Sequence, residues 1–149
     1  MNIYADVNVK ATAKNVNDFL KNKLPRLASR CGYRLTDLSS PKLSLASAHS
    51  NRTDGQEKML INSFSIEKVV DAIYQTIYHC SEDSRLILID RYVKYISQEQ
   101  IIMSLPYEKS HYYAVLKPKA LNEFADLYDY WQEKCKVDPE DRLDLHIYK

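Results

Sequence analysis

Glycine is nearly absent from this chain, and this scarcity restricts the possible folds more than any other feature. Gly32 and Gly55 are the only glycines in 149 residues, whereas an average usage of about 7% would give about ten. Loops that cradle phosphates need closely spaced glycines so that backbone N–H groups can reach the anion, which excludes Rossmann and P-loop nucleotide sites. Many-turned β-sandwiches also need residues that tolerate positive φ. The sequence therefore predicts a mainly α fold with short connections.

The composition is that of an ordinary globular domain. The chain is 45% hydrophobic, with 21 Lys and Arg against 20 Asp and Glu, and a chain of this length can bury a substantial core without disulfides or metals. No apolar run approaches the ~20 residues of a membrane-spanning helix, and the N-terminus lacks the features of a secretory signal. We expect a cytoplasmic protein with no membrane partner, whose cysteines, Cys31, Cys80 and Cys135, are reduced and mostly buried.

The near-neutral total charge hides an uneven distribution. Residues 7–34 contain seven basic residues and one acidic residue, and residues 109–119 contain three lysines and no acid. Residues 121–149 contain eight acidic residues against four basic ones. Charged runs are commonly solvated helix faces, but local potential matters more than total charge for binding a polyanion. Two basic segments are thus candidate contacts for nucleic acid.

The chain divides into four segments by pattern. Residues 1–35 predict a strand followed by a basic amphipathic helix with Thr12 as its N-cap, and the serine-rich residues 36–63 predict a loop or linker. Residues 64–132 predict a helical domain, and residues 133–149 form an acidic C-terminal segment. Both chain ends alternate apolar and polar residues, which indicates short terminal β-strands. Whether these strands pair within one chain or across a homodimer stays open.

Cap residues and apolar spacing place four helices in the third segment. Ser65 is expected to cap the first helix, which runs to about Cys80, and Ser81 the second. The apolar stripe of the second helix is Leu86, Ile89 and Val93, with Leu88 and Tyr92 beside it. Residues 97–100 read as a capping box for a short third helix. Pro106 and Tyr107 end it, and a long fourth helix begins at Glu108 or Ser110.

A short helix, a break of a few residues and a long helix are typical of a helix-turn-helix unit, whose second helix lies in the DNA major groove. If Tyr112, Leu116 and Ala120 face the core, the opposite face of the long helix is polar and accessible. Any helical bundle shows such a face, but this one offers the side chains that groove reading requires. The predicted DNA-binding residues are Lys109, Ser110, Tyr113, Ala114 and Lys117 on that face, with Lys94 and Gln98 holding the sugar-phosphate backbone.

The same region resembles a known family at residues 85–92, 97–101, 110–113, Lys117, 119–121 and 124–125, with a looser match around 14–21 and at Ser40-Pro41. It is similar to phage regulators of the ArpU/RinA type, whose C-terminal half is similar to the promoter-reading helix-turn-helix of bacterial sigma factors. The resemblance implies a transcriptional regulator, acting as an activator, that binds promoter DNA and switches on late packaging and lysis genes in phages and prophages of Gram-positive bacteria.

Other functions remain open at this point. A DNA-packaging adaptor of the small-terminase type also uses helix-turn-helix units, but in ring assemblies. A protein-interaction module acting on the transcription machinery would use the basic segment as a partner surface, and direct contact with host RNA polymerase is undecided. We expect no enzyme activity, cofactor or metal, because the Cys and His residues lack the short paired spacing of zinc ligands and the acidic residues 138–144 have the pattern of a helix start.

Overall fold

The computed structural model of the protein describes residues 6–32 and 57–149, with side chains from residue 65 onward in the second range. The predicted mainly α fold is confirmed. Among the described residues no helix is long and apolar enough to cross a membrane. In chain order the elements are α1 (Val9–Asp18), π1 (Phe19–Lys23), α2 (Leu24–Arg30), α3 (Glu57–Tyr78), α4 (Glu82–Leu88), π2 (Ile89–Val93), α5 (Gln98–Ser104), α6 (Lys109–His111), π3 (Tyr112–Leu116), α7 (Lys117–Lys134) and a 3₁₀ turn (Pro139–Asp141).

The first helix begins earlier than the sequence predicts. Asn8 is its N-cap, with the Ala11 N–H donating to Asn8 Oδ1 at 3.1 Å. The predicted cap, Thr12, lies inside α1 and is fully buried, and its hydroxyl accepts a hydrogen bond from the Ile147 N–H at 2.9 Å. The assignment of Thr12 as N-cap is therefore wrong, because its hydroxyl bonds to the other end of the chain.

Helix α3 also begins earlier than predicted, at Glu57, inside the segment predicted to be a loop. Ser65 lies within α3 rather than at its start, and its hydroxyl donates to Asp138 Oδ2 at 3.0 Å. The predicted cap is thus a tertiary contact with the C-terminal segment. The rest of the predicted loop, and residues 1–5 of the predicted N-terminal strand, lie outside the described residues.

Three π-helical turns interrupt the helices within residues 6–32 and 57–149, and two of them precede a proline. The Leu24 N–H bonds to Phe19 O before Pro25, and the Lys117 N–H bonds to Tyr112 O before Pro118. A proline has no N–H and its ring clashes with the preceding turn of an α-helix, so a locally wider turn allows the helix to continue. Neither proline ends its helix, and each follows closely on a π turn.

The π turn π2 (Ile89–Val93) changes which residues of the second C-terminal helix are buried. Ile87 and Leu88 are buried on α4, and Tyr92 and Val93 are buried on π2, whereas Leu86 is 37% exposed. Each buried pair recurs after five residues, which is the spacing of a π turn rather than of an α-helix. Of the predicted stripe, Val93 is buried and Ile89 packs partly buried against the core, but Leu86 is exposed and Ile87 is buried in its place.

The core joins the N-terminal and C-terminal segments. Helix α7 packs on α1, α3 and α4, and at the centre the ring of Phe19 lies 6.4 Å from that of Phe124 and 5.7 Å from that of Tyr128. Val137 and Leu145 belong to the same buried cluster. The basic N-terminal helix and the acidic C-terminal segment are therefore parts of one packed unit.

The two ends of the chain pair within one molecule. Val7 and Tyr148 form an antiparallel bridge, and the Asn8 N–H donates to Ile147 O at 2.7 Å. Asn15 Nδ2 donates to Leu145 O at 2.9 Å, which holds the C-terminal segment along α1. In the part of the chain that the structure describes, this pairing is a single bridge rather than two strands.

His146 fastens the C-terminal segment to the middle of α7, and its attachment is expected to depend on pH. Its ring nitrogens lie 2.6 Å from Asp144 Oδ1 and 2.7 Å from Asp126 Oδ1. Burial lowers the pKa of His146, but the hydrogen bonds to Asp126 and Asp144 outweigh burial and raise that pKa above its usual value. A raised pKa in the folded state means that the contribution to stability is present below about pH 6.5, the usual histidine value, and is lost as pH rises through the folded pKa.

We therefore expect His146→Gln to lower the free energy of unfolding at pH 6 by roughly 0.5–1 kcal/mol, and by less at pH 9. Chemical denaturation at the two pH values measures the difference. His111→Gln is the control, because His111 is exposed on α6. An equal effect of His146→Gln at both pH values would contradict the assignment.

Candidate nucleic-acid interface

A four-residue break separates α5 from the long helix formed by α6, π3 and α7 (residues 109–134). Ser97 caps α5, its hydroxyl accepting from the Gln100 N–H at 3.3 Å, as the capping box predicts. Helix α5 ends at Ser104, before Pro106, and the long helix begins at Lys109 with Glu108 as its N-cap residue. The positions of the break and of the following helix start are confirmed.

At the start of the long helix, one tyrosine ring is buried in the core and the adjacent tyrosine is exposed to solvent. Tyr112 is fully buried, and Tyr113 is 38% exposed. The two rings meet edge to face, with centroids 5.0 Å apart. Lys109, Ser110 and Ala114 are also exposed. The rotational setting predicted from the sequence is confirmed for these four exposed residues, which we call the reading face (Lys109, Ser110, Tyr113 and Ala114).

Lys117 does not belong to this exposed face. It is half-buried, and its Nζ donates to Gln98 Oε1 at 2.8 Å. The hydroxyl of Tyr112 donates to the same oxygen at 3.2 Å. The predicted exposure of Lys117 is therefore wrong, whereas the amide nitrogen of Gln98, the group that would donate to a phosphate, takes part in neither bond. The π turn between Tyr112 and Lys117 is the reason for the burial of Lys117, because it rotates the following residues relative to an α-helix.

Lys94 lies in the connection before α5 and is exposed, as predicted. Its Nζ is 4.0 Å from Asp90 Oδ1, one helical turn earlier. A surface pair at this distance contributes little free energy, so it leaves the ammonium group accessible to an anion.

A pocket of about 230 Å³ lies between the N-terminal helix and the connection to α5. Three cations line it, Lys21 from π1, Arg91 from π2 and Lys117 from α7. Burial lowers the pKa of Lys117, and the neighbouring charges of Arg91 and Lys21 lower it further. Lys117 is thus close enough to Arg91 and to Lys21 for their charges to disfavour its own.

Sequence reasoning did not assign Lys21 or Arg91 to the site. Lys21 falls in the basic segment 7–34 and Arg91 in a stretch that carries the family resemblance. These two sequence features point to a role for Lys21 and Arg91, but neither feature indicates that the two side chains lie near Lys117. Their meeting depends on how α1 and π1 pack against the C-terminal helices.

The other candidate chemistries have structural explanations. Asp138, Glu140 and Asp141 lie close together at the 3₁₀ turn, but Asp138 accepts from Ser65 and pairs with Lys68 at 3.7 Å. Cys31, Cys80 and Cys135, all among the described residues, form no disulfide. Burial raises the pKa of Cys80 to about 12, so its thiol is protonated at neutral pH and is a poor nucleophile.

Comparison with models of protein families, with curated proteins and with solved structures finds no match to this chain.

Proposed function

We propose that this protein is a sequence-specific, double-stranded-DNA-binding transcriptional regulator that acts through the reading face. The observation that carries the proposal is the exposure of Lys109, Ser110, Tyr113 and Ala114 on the first two turns of a helix that follows a four-residue break. In helix-turn-helix proteins, the residues that contact base edges lie in the N-terminal turns of the second helix.

The chemistry of the reading face suits the major groove, which is wide enough to admit an α-helix. Lys109 can donate to guanine O6 and N7 or to a phosphate, and the hydroxyls of Ser110 and Tyr113 can bond to phosphates or bases. The methyl group of Ala114 can contact the methyl group of thymine. Lys94 adds an exposed cation for the backbone.

The biological setting of the proposal comes from the family resemblance. Similarity to regulators of the ArpU/RinA type supports a role in activating the late packaging and lysis genes of a phage or prophage, in the bacterial cytoplasm. The sigma-factor-like pattern supports host RNA polymerase as a further partner. Homodimerisation would double the number of reading faces on one site.

Footprinting and binding titrations with DNA from the phage or prophage that encodes the chain test the proposal. We expect one or a few protected sites upstream of late genes, with binding that survives an excess of unrelated duplex and weakens as salt rises. Protection that competitor DNA abolishes would contradict sequence specificity. Solution mass is measured in parallel, and a stable ring of many subunits would replace the proposal with a packaging adaptor.

A further inference from the structure

The cationic pocket joins parts of the chain that are far apart in sequence. Asn17 and Lys21 come from the N-terminal helix, Arg91 from π2 and Lys117 from α7. The hydroxyl of Tyr92 donates to Asn17 Oδ1 and holds the two walls together. The pocket is therefore part of the packed fold, because the Tyr92 ring at this junction is buried.

The charge of the pocket is uncompensated by its own lining. Among the described residues that line it, Lys21, Arg91 and Lys117 are cations and none is Asp or Glu. Asp18 is near enough to Tyr92 to raise its pKa, though less than burial does, but it does not line the pocket. Gathering three like charges while burying one of them is costly, and a bound anion would offset that cost.

The polar groups around the cations favour an oxyanion with several acceptor oxygens. Arginine and lysine donors bind phosphate through charge-assisted hydrogen bonds, and the Tyr95 and Gln98 side chains border the same space. Lys117 Nζ uses one donor on Gln98, and an ammonium group has three. Its remaining donors are available to a ligand.

We propose that this pocket binds a phosphate group, supplied by the backbone of the duplex on the reading face. This assignment rests on the proposed function. Lys117 lies one turn beyond Tyr113 and Ala114 on the same long helix, and Gln98 is the first residue of α5. A duplex whose groove receives the reading face therefore brings a flanking strand towards this end of the molecule. The basic N-terminal helix then contributes Lys21 as a backbone clamp.

The first experiment uses inorganic phosphate and the full chain without DNA. We expect thermal unfolding of the wild type to shift upward by a few degrees as phosphate rises, relative to chloride at the same ionic strength, with saturation. Lys21→Gln and Arg91→Gln should remove the shift. Lys14→Gln should retain it, because Lys14 is an exposed lysine on the same helix that does not line the pocket. A wild type with no phosphate-specific shift would overturn the assignment.

The second experiment measures duplex binding by the same variants. Lys21→Gln should weaken binding by about tenfold and reduce the slope of log affinity against log salt by about 1, for every sequence alike. If Lys21→Gln loses the phosphate-induced rise in unfolding temperature but binds duplex as the wild type does, the DNA backbone is not the source of the phosphate. The pocket would then be a site for a free phosphate compound. The wild type could also show a phosphate-induced rise in unfolding temperature that Lys21→Gln removes, yet bind no duplex. That result would support the anion pocket and refute the proposed function.

Discussion

Replacing Lys109 and Tyr113 together with alanine is expected to lower affinity for the target duplex by at least about thirtyfold, since each lost base contact costs roughly 1–3 kcal/mol. Both side chains are exposed on the reading face, so the thermal unfolding temperature should change little. Titration of labelled target DNA by fluorescence anisotropy at fixed salt measures the loss. The single variants Lys109→Ala and Tyr113→Ala then show how much of the lost affinity each side chain accounts for.

The same helix provides a matched control. Tyr130 is 52% exposed near the far end of α7, and Lys134 Nζ lies 5.6 Å from the centre of its ring. Tyr130→Ala with Lys134→Ala removes the same two residue types from a surface distant from the break. The control should bind as the wild type does. If both double variants lose affinity equally, or neither does, the reading face is wrongly assigned.

Glu123→Ala is expected to lower the free energy of unfolding by roughly 2–4 kcal/mol, because a charged acceptor with several hydrogen bonds is removed. The Glu123 carboxylate accepts from the backbone N–H of Ser81, from Ser81 Oγ at 2.9 Å and from Ser84 Oγ at 2.8 Å. It therefore caps the start of α4 from α7, and the Ser84 hydroxyl would be left buried without this acceptor.

The contribution of Glu123 also has a pH signature. Burial raises the pKa of Glu123, but the hydrogen bonds from Ser81 and Ser84 and the charge of Lys119 outweigh burial and lower that pKa. A lowered folded-state pKa means that its stabilisation is present above about pH 4.3, the usual glutamate value, and is lost as pH falls through the folded pKa.

Denaturation of wild type and Glu123→Ala at pH 7 and at pH 3 should therefore show a smaller difference in acid. Glu133→Ala is the control, because Glu133 is exposed on the same helix. If Glu123→Ala and Glu133→Ala are equally stable at neutral pH, the carboxylate does not hold α4 to α7.

Local features of the sequence predicted the part of the site that depends on one helix. The Ser97 cap, the break at Pro106 and the burial of Tyr112 each follow from a few neighbouring residues, because caps and helical faces repeat over one or two turns. The reading face was predictable for this reason. Thr12 and Ser65 show the limit, since each has the residue type of a cap but its hydroxyl bonds to the C-terminal segment.

The π turns account for the residues that were assigned to the wrong face of a helix. Leu86 and Lys117 were assigned to faces by 3.6-residue periodicity, and each helix gains an extra residue in one turn, after Leu86 in one case and before Lys117 in the other. Of the three π turns, two come before Pro25 and Pro118, so a proline within an apolar pattern is the one local signal for them. The π turn at Ile89–Val93 has no such signal.

The sequence by itself determined the mainly α class and the rotational setting at the start of the long helix. The scarcity of glycine was a sound guide to class, although Tyr95 and Lys136 take positive φ values of 57° and 59° where glycine would be less strained. Only the tertiary structure decided that Lys21, Arg91 and Lys117 share a pocket and that Glu123 caps α4. These contacts join residues far apart in the chain, so they depend on how whole helices pack rather than on any local pattern.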